Sequence, residues 1–192
     1  MSAPKILVIL GSLRTGSHNA RLAALAAKEL ALLDAEVTRI SLEDYELPLF
    51  DADLVASGPP VAALKLRQAL VAHRGVFITS PEYSASITPL LKNAIDWVSR
   101  VRERGEPTYA AFKGRVFALG SATSGGGGGI RSLMALRQIL ELGCGALVIP
   151  EQVSFPRAEL AFDDDDNLKD EALAAALRAA VRRLVELAGM ID

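Results

Sequence analysis

The sequence predicts an α/β domain in which a parallel β-sheet is covered by helices on both faces. Three observations carry that prediction. Short apolar runs alternate with amphipathic helical segments along the whole chain, and the runs are almost wholly apolar, as strands buried on both faces must be. With 192 residues and 51% hydrophobic content, the chain can build one well-buried core but not two ordinary domains, so 1–192 is read as a single unit. Crossovers between such strands are right-handed.

The first strand is Ile6 to Leu10, a continuous apolar run that ends at Gly11. Leu22, Leu25, Ala26, Leu30 and Leu33 then fall on one face of an Ala-rich helix, and Val37 to Ile40 gives the second strand. A helix near Val61 to Val71 leads to a strand at Val76 to Thr79 and a helix from Pro89 to Arg100. Next come a strand at Val116 to Gly120, a helix at Ile130 to Leu142 and a strand at Leu147 to Ile149. Leu173, Leu177, Val181 and Leu184 mark the last helix. The helix after Pro89 carries two apolar stripes, Leu91, Ala94, Ile95 and Val98 on one and Leu90, Ala94, Trp97 and Val101 on the other. The second stripe suits deeper packing or a subunit interface.

A formal charge of −2 gives no long-range attraction to nucleic acid or an anionic membrane surface. No apolar run reaches the length of a membrane span, and Ile6 to Leu10 is too short for a secretory segment, so a cytoplasmic protein is expected. Cys144 is the only cysteine, which excludes an internal disulfide, an iron–sulfur cluster and a C-x-x-C redox pair. Redox chemistry would therefore need an organic cofactor. Cys144 lies in a Gly143-Cys144-Gly145 turn, where a small semi-buried residue is the plainer reading than a nucleophile. Asp163 to Asp166 reads as a solvated turn, and no metal site is expected.

In an open parallel sheet, ligands bind beyond the carboxyl ends of the strands, where the strand order reverses. After the first strand stands Gly11-Ser12-Leu13-Arg14-Thr15-Gly16-Ser17-His18-Asn19. It is not a P-loop, because Ser17-His18 stand where Lys-Ser or Lys-Thr is needed, and Leu13 breaks the dinucleotide fingerprint. What remains suits a terminal phosphate: Ser12, Ser17 and Asn19 offer donors, Arg14 a charged fork, and the helix that follows offers free N–H groups. Ser17 equally suits a helix N-cap with Arg14 solvated.

After the third strand the run Pro81-Glu82-Tyr83-Ser84-Ala85-Ser86 is followed by Leu91-Lys92-Asn93-Ala94-Ile95-Asp96-Trp97. Together with Gly11-Ser12-x-Arg14-x-x-Ser17-x-Asn19, Gly128-Gly129-Ile130-Arg131 and Phe162-Asp163 to Asp170-Glu171, it resembles the NADPH-dependent FMN reductase family, which includes quinone, azo-dye and chromate reductases. Ser84 stands where that family usually has asparagine, Thr88-Pro89 replace a frequent Pro-Gly pair, and Gly125 to Gly129 is unusually uniform.

The resemblance implies a flavodoxin-like sheet of order 2-1-3-4-5 with FMN at the switch point. By the same resemblance, the FMN-contacting positions are Ser12, Arg14, Ser17, His18 and Asn19 around the phosphate, Pro81, Glu82, Tyr83 and Ser84 beside the ring, and Thr123, Ser124, Gly125 and Gly126 at its other edge. It implies NADPH or NADH as co-substrate and a small electron acceptor such as free flavin, quinone, azo compound or chromate, served in turn by a ping-pong mechanism. No catalytic side chain is assigned, because backbone N–H groups can stabilise charge on reduced flavin; Glu82 is a catalytic acid only on the alternative reading. Relatives are commonly dimers or tetramers, so a homodimer or homotetramer is expected. The rival reading is a flavodoxin-like electron carrier without NAD(P)H reductase activity, although such carriers are strongly acidic and this chain is not.

Overall fold

The computed structural model of the chain describes residues 3–191. Five parallel strands, β1 (Lys5–Leu10), β2 (Glu36–Ser41), β3 (Gly75–Thr79), β4 (Val116–Ala122) and β5 (Leu147–Phe155), form one sheet in the order β2-β1-β3-β4-β5. This is the flavodoxin-like arrangement that the motif pattern implied. The helices are α1 (His18–Ala31), α2 (Ala52–Ala56), α3 (Val61–Val71), α4 (Pro89–Arg100), α5 (Ile130–Gln138), α6 (Ala158–Ala161) and α7 (Glu171–Ala188). One face of the sheet packs Leu22, Ala26 and Leu30 of α1 with Leu177, Val181 and Leu184 of α7. The opposite face packs Leu66 and Leu70 of α3, Leu91, Ile95 and Val98 of α4, and Leu133 and Leu136 of α5. Burial on both faces is why β3 and β4 contain no exposed residue, whereas the edge strand β2 is only half-covered.

Three elements differ from their expected extents. β4 runs on through Ser121 and Ala122, both buried, so the loop after it begins at Thr123. β5 continues six residues past Ile149 to Phe155. Pro150 reads as a strand end, but the pairing slips there, from Phe117 opposite Val148 to Leu119 opposite Gln152. A proline costs no ladder hydrogen bond at such an irregularity. The helix expected over Ile130 to Leu142 is α-helical only to Gln138 and ends in a π-helical turn, Ile139–Gly143, that leads to left-handed Gly145.

Trp97 corrects the subunit-interface reading of the second α4 stripe. It is fully buried, and the chain's own segment around Leu47, Phe50 and Val55 covers it. Its indole Nε1 donates to Pro48 O at 2.7 Å, and Phe50 packs edge-on at 5.2 Å between ring centroids. Asn93 adds two further ties, accepting from Phe50 N at 2.7 Å and donating to Pro48 O at 2.9 Å. This strap closes the stripe that an interface would have needed. Trp97→Ala should therefore lower unfolding free energy by about 3–5 kcal/mol, the range for truncating a buried large aromatic side chain. Urea denaturation combined with sedimentation checks it; a variant of unchanged stability that dissociates would restore the interface reading.

Candidate active site

The carboxyl ends of β1, β3 and β4 are tied to one another before any side chain faces solvent. Gly11, directly after β1, donates its N–H to Thr79 O at 2.8 Å, and a Cβ at that position would stand 2.9 Å from the same oxygen. Only glycine allows that approach. Thr88 caps α4 through Leu91 N at 3.1 Å and donates its hydroxyl to Gly11 O at 2.9 Å. Asn19 completes the tie: Nδ2 donates to Ala122 O at 2.8 Å and Oδ1 accepts from Ala122 N at 3.0 Å. Its side chain is thus spent mainly on positioning β4 against α1, which the reading of Asn19 as a phosphate donor missed.

The first loop runs from Gly11 to Ser17. Ser17 is buried and is the N-cap of α1, its Oγ accepting from Asn19 N at 3.2 Å. Ala20 N and Arg21 N bond to Ser17 O, which leaves the His18 N–H of the first turn without an acceptor among the described residues. Ser12 is buried and its Oγ accepts from Arg14 N at 3.3 Å, so both serine hydroxyl hydrogens remain available to donate. The Arg14 side chain is exposed and makes one weak hydrogen bond among the described residues, 3.4 Å from Nη2 to Gly16 O. His18 is half-buried; burial first, then the charge of Arg14, holds its imidazole below the ordinary histidine pKa, with Arg21 acting in the same sense and Glu159 against it.

Loop three crosses from β3 to α4. Tyr83 and Ser86 exchange both backbone hydrogen bonds at 2.9 Å, and Ser84 and Ala85 between them have φ of 49° and 63°. That tight turn calls for left-handed residues, which is why asparagine would suit position 84 better than serine. Glu82 points away from the turn into the N-terminus of α5. It accepts from Arg131 N at 3.1 Å, Ser132 N at 3.3 Å and Arg131 Nε at 2.7 Å, and also from Arg131 Nη2. Burial pushes the carboxyl pKa up, but the Arg131 and Ser132 hydrogen bonds and the Arg131 charge outweigh it, so the net shift is downward. A carboxylate held this way is a strut between two loops and a poor proton donor.

Loop four begins at Thr123. Thr123 N donates to Phe155 O at 3.0 Å and Ala158 N donates to Thr123 O at 3.0 Å, so the loop is pinned to the end of β5. Its five glycines divide into two groups. Gly128 and Gly129 are buried with positive φ, and a Cβ on either would overlap Ser154 or Ser121. Gly125, Gly126 and Gly127 are exposed, with open space where a Cβ would stand.

The three loops enclose a cleft of ≈ 220 Å³. Ser12, Arg14, Ser17, His18 and Asn19 line it from the first loop, Pro81, Glu82 and Tyr83 from the third, and Thr123 and Ser124 from the fourth. Ser84, Gly125 and Gly126 stand in the adjoining turns without lining it. Ala122 and Ser132 carry no signal in the sequence that points to the site, whereas Arg131 is part of a family motif and Thr88 stands in the third loop only as a departure from the family's Pro-Gly pair. Cys144 lies elsewhere and is buried, and burial first, with Asp96 in the same sense, pushes its thiol to about 11, so it is no nucleophile at neutral pH. The acidic run is a turn: Asp163 Oδ1 accepts from Asp165 N and Asn167 N, and Asp166 pairs with Arg21. Among the described residues no helix is long and apolar enough to cross a membrane.

Comparison with known proteins gives the same assignment from three directions. The family model for NADPH-dependent FMN reductase matches residues 4–159. An NAD(P)H-dependent FMN reductase of Pseudomonas aeruginosa is 34% identical over 182 residues, covering 94% of this chain and 92% of that protein. A quinone reductase of Escherichia coli K12 is 36% identical over 138 residues, 71% of this chain and 69% of that protein. Among solved structures, the flavoenzyme NAD(P)H:(acceptor) oxidoreductase FerB of Paracoccus denitrificans superimposes with a TM-score of 0.79 at 28% identity, covering 98% of this chain and 99% of that one. The chain therefore belongs to the NADPH-dependent FMN reductase family of oxidoreductases.

Proposed function

We propose that this chain is an FMN-dependent NAD(P)H oxidoreductase that passes electrons by a ping-pong mechanism to a small acceptor such as free flavin, a quinone, an azo compound or chromate. The observation that carries the reading is the convergence of three strand-end loops on one cleft, with cationic and hydroxyl donors at one end and bare backbone beside the other. The residues present fit FMN. Among the described residues Glu82 is the one carboxylate lining the cleft, and its oxygens are taken by Arg131 and Ser132 rather than turned on a phosphate.

Bound FMN would supply hydride acceptance from the nicotinamide and electron donation to the acceptor. Ser12, Arg14, Ser17 and the His18 N–H would hold the phosphate, and Asn19 positions that loop against β4. Pro81 to Ser84 would border the ring, and Thr123 to Gly126 would close its other edge through the backbone N–H groups of Ser124, Gly125 and Gly126, that of Thr123 being given to Phe155 O. Tyr83, 48% exposed, stands at the opening that both substrates would use in turn. No side chain serves as acid or base. The whole chain, 1–192, acts as one reductase domain in the cytoplasm, where reduced nicotinamide is supplied. Self-association as a homodimer or homotetramer belongs to the same reading, supported by the exposed apolar residues Ile130, Met134 and Leu142 along α5 and its π turn.

Anaerobic mixing with NADPH or NADH should bleach the flavin within seconds, later benzoquinone should restore its colour, and steady-state double-reciprocal plots should be parallel. Reduction by neither nicotinamide would return the reading to an electron carrier. Arg14→Ala should weaken FMN binding by about 1.5–3 kcal/mol and riboflavin binding much less, as fluorescence titration would show. Equal loss for both ligands would remove Arg14 from the phosphate site.

Glu82→Gln should cost about 1 kcal/mol of stability at pH 7, as loss of a helix cap does, with the exposed Arg131 pair discounted for solvent screening. Because the folded pKa is lowered, this contribution exists above the unfolded carboxylate pKa and fades as pH falls through the folded one. Urea unfolding of both proteins at neutral and acidic pH checks the convergence.

A further inference from the structure

We propose that this chain holds a second binding site, a cavity between the sheet and the helices α3 and α4, whose guest is one small apolar gas molecule of the dioxygen class. The inference needs no flavin and goes beyond the reading of the cleft. Leu66 and Leu70 of α3, Leu91, Ala94 and Ile95 of α4, and Ile9 of β1 form most of the wall. All eleven lining residues are apolar, and none is more than 5% exposed. Ala94, which belongs to both apolar stripes of α4, is the smallest of them.

The chemistry of the wall selects the guest. Only apolar atoms face the cavity. A buried water makes about three hydrogen bonds, and in this wall it would find no partner. A polar or charged solute would lose more still on leaving solvent. An apolar molecule gives up no hydrogen bond and gains dispersion contacts with side chains that packing already holds apart. Size narrows the class further. The cavity measures ≈ 30 Å³. That exceeds the roughly 10–15 Å³ that one water-sized guest requires and falls far below the roughly 150 Å³ that admits benzene. What fits is a dissolved diatomic or monatomic gas. Its place in the fold is specific: Leu91 is part of the wall, and a Cβ on Gly11 would stand 3.4 Å from Leu91 Cβ and Cδ2. A guest is therefore held one side chain below the point where the first loop leaves β1.

Dioxygen is paramagnetic and can itself serve as the probe. Methyl NMR of the full chain in its oxidised state, under dioxygen and then under nitrogen at equal pressure, should show relaxation enhanced at least threefold more at Leu91 and Ile95 than at Leu177 and Val181. Those two controls are equally buried on the opposite face of the sheet. Ala94→Val, which adds carbon to the cavity wall, should bring the two faces to the same level. Leu66→Ala, which enlarges the cavity, should raise the excess at Leu91 and Ile95 instead. Xenon should shift the same methyls in the unaltered chain. Equal enhancement on both faces, an excess that survives Ala94→Val, or a fall in Leu66→Ala overturns the proposal. So does a bound-water signal at the Ala94 methyl.

Discussion

The paired hydrogen bonds between the Asn19 amide and the backbone of Ala122 are the constraint on which the site depends. They fix the first turn of α1 against the last residue of β4, across β3, and both partners are buried. With Thr88 joining α4 to Gly11 and Gly11 joining β1 to Thr79, three loops from separate crossovers are held to one origin. Each polar group in this tie is satisfied internally, so the framework needs no ligand to keep it in place.

A second layer of order comes from where negative charge is allowed. Glu82 could have made the cleft acidic, but its carboxylate is drawn into the N-terminus of α5, where helix N–H groups and Arg131 neutralise it. The other end keeps Arg14 free of any carboxylate among the described residues. The Glu82 carboxylate thus turns from the cleft to join the third loop to the helix that follows the fourth.

The sheet was legible because double burial leaves a plain trace: β3 and β4 are wholly buried, and their residues are almost all apolar or small. Where a strand departs from that condition, the pattern weakens. β5 slips register at Pro150, and sequence alone treats that proline as an end. The strap at Leu47 to Phe50 left no periodic signal, so the face of Trp97 that it covers looked open. Within the site, residue type indicated which loops matter but not what each side chain does. Asn19 and Ala122 are 103 residues apart, and an asparagine at a loop-to-helix junction looks the same whether it binds a ligand or a strand. Ser17 has the same ambiguity, since a hydroxyl that caps a helix still carries a hydrogen to donate.

The uniform run from Gly125 to Gly129 conceals two histories. Gly128 and Gly129 answer to the fold, since Ser154, Ser121 and a left-handed backbone leave no room for a side chain there. Gly125, Gly126 and Gly127 meet no such barrier from the protein. A descendant that abandoned its cofactor would thus be free to accumulate substitutions at the first three positions while still retaining the last two. The length of glycine surviving in this loop would record, in the sequence itself, whether a lineage still uses the cleft.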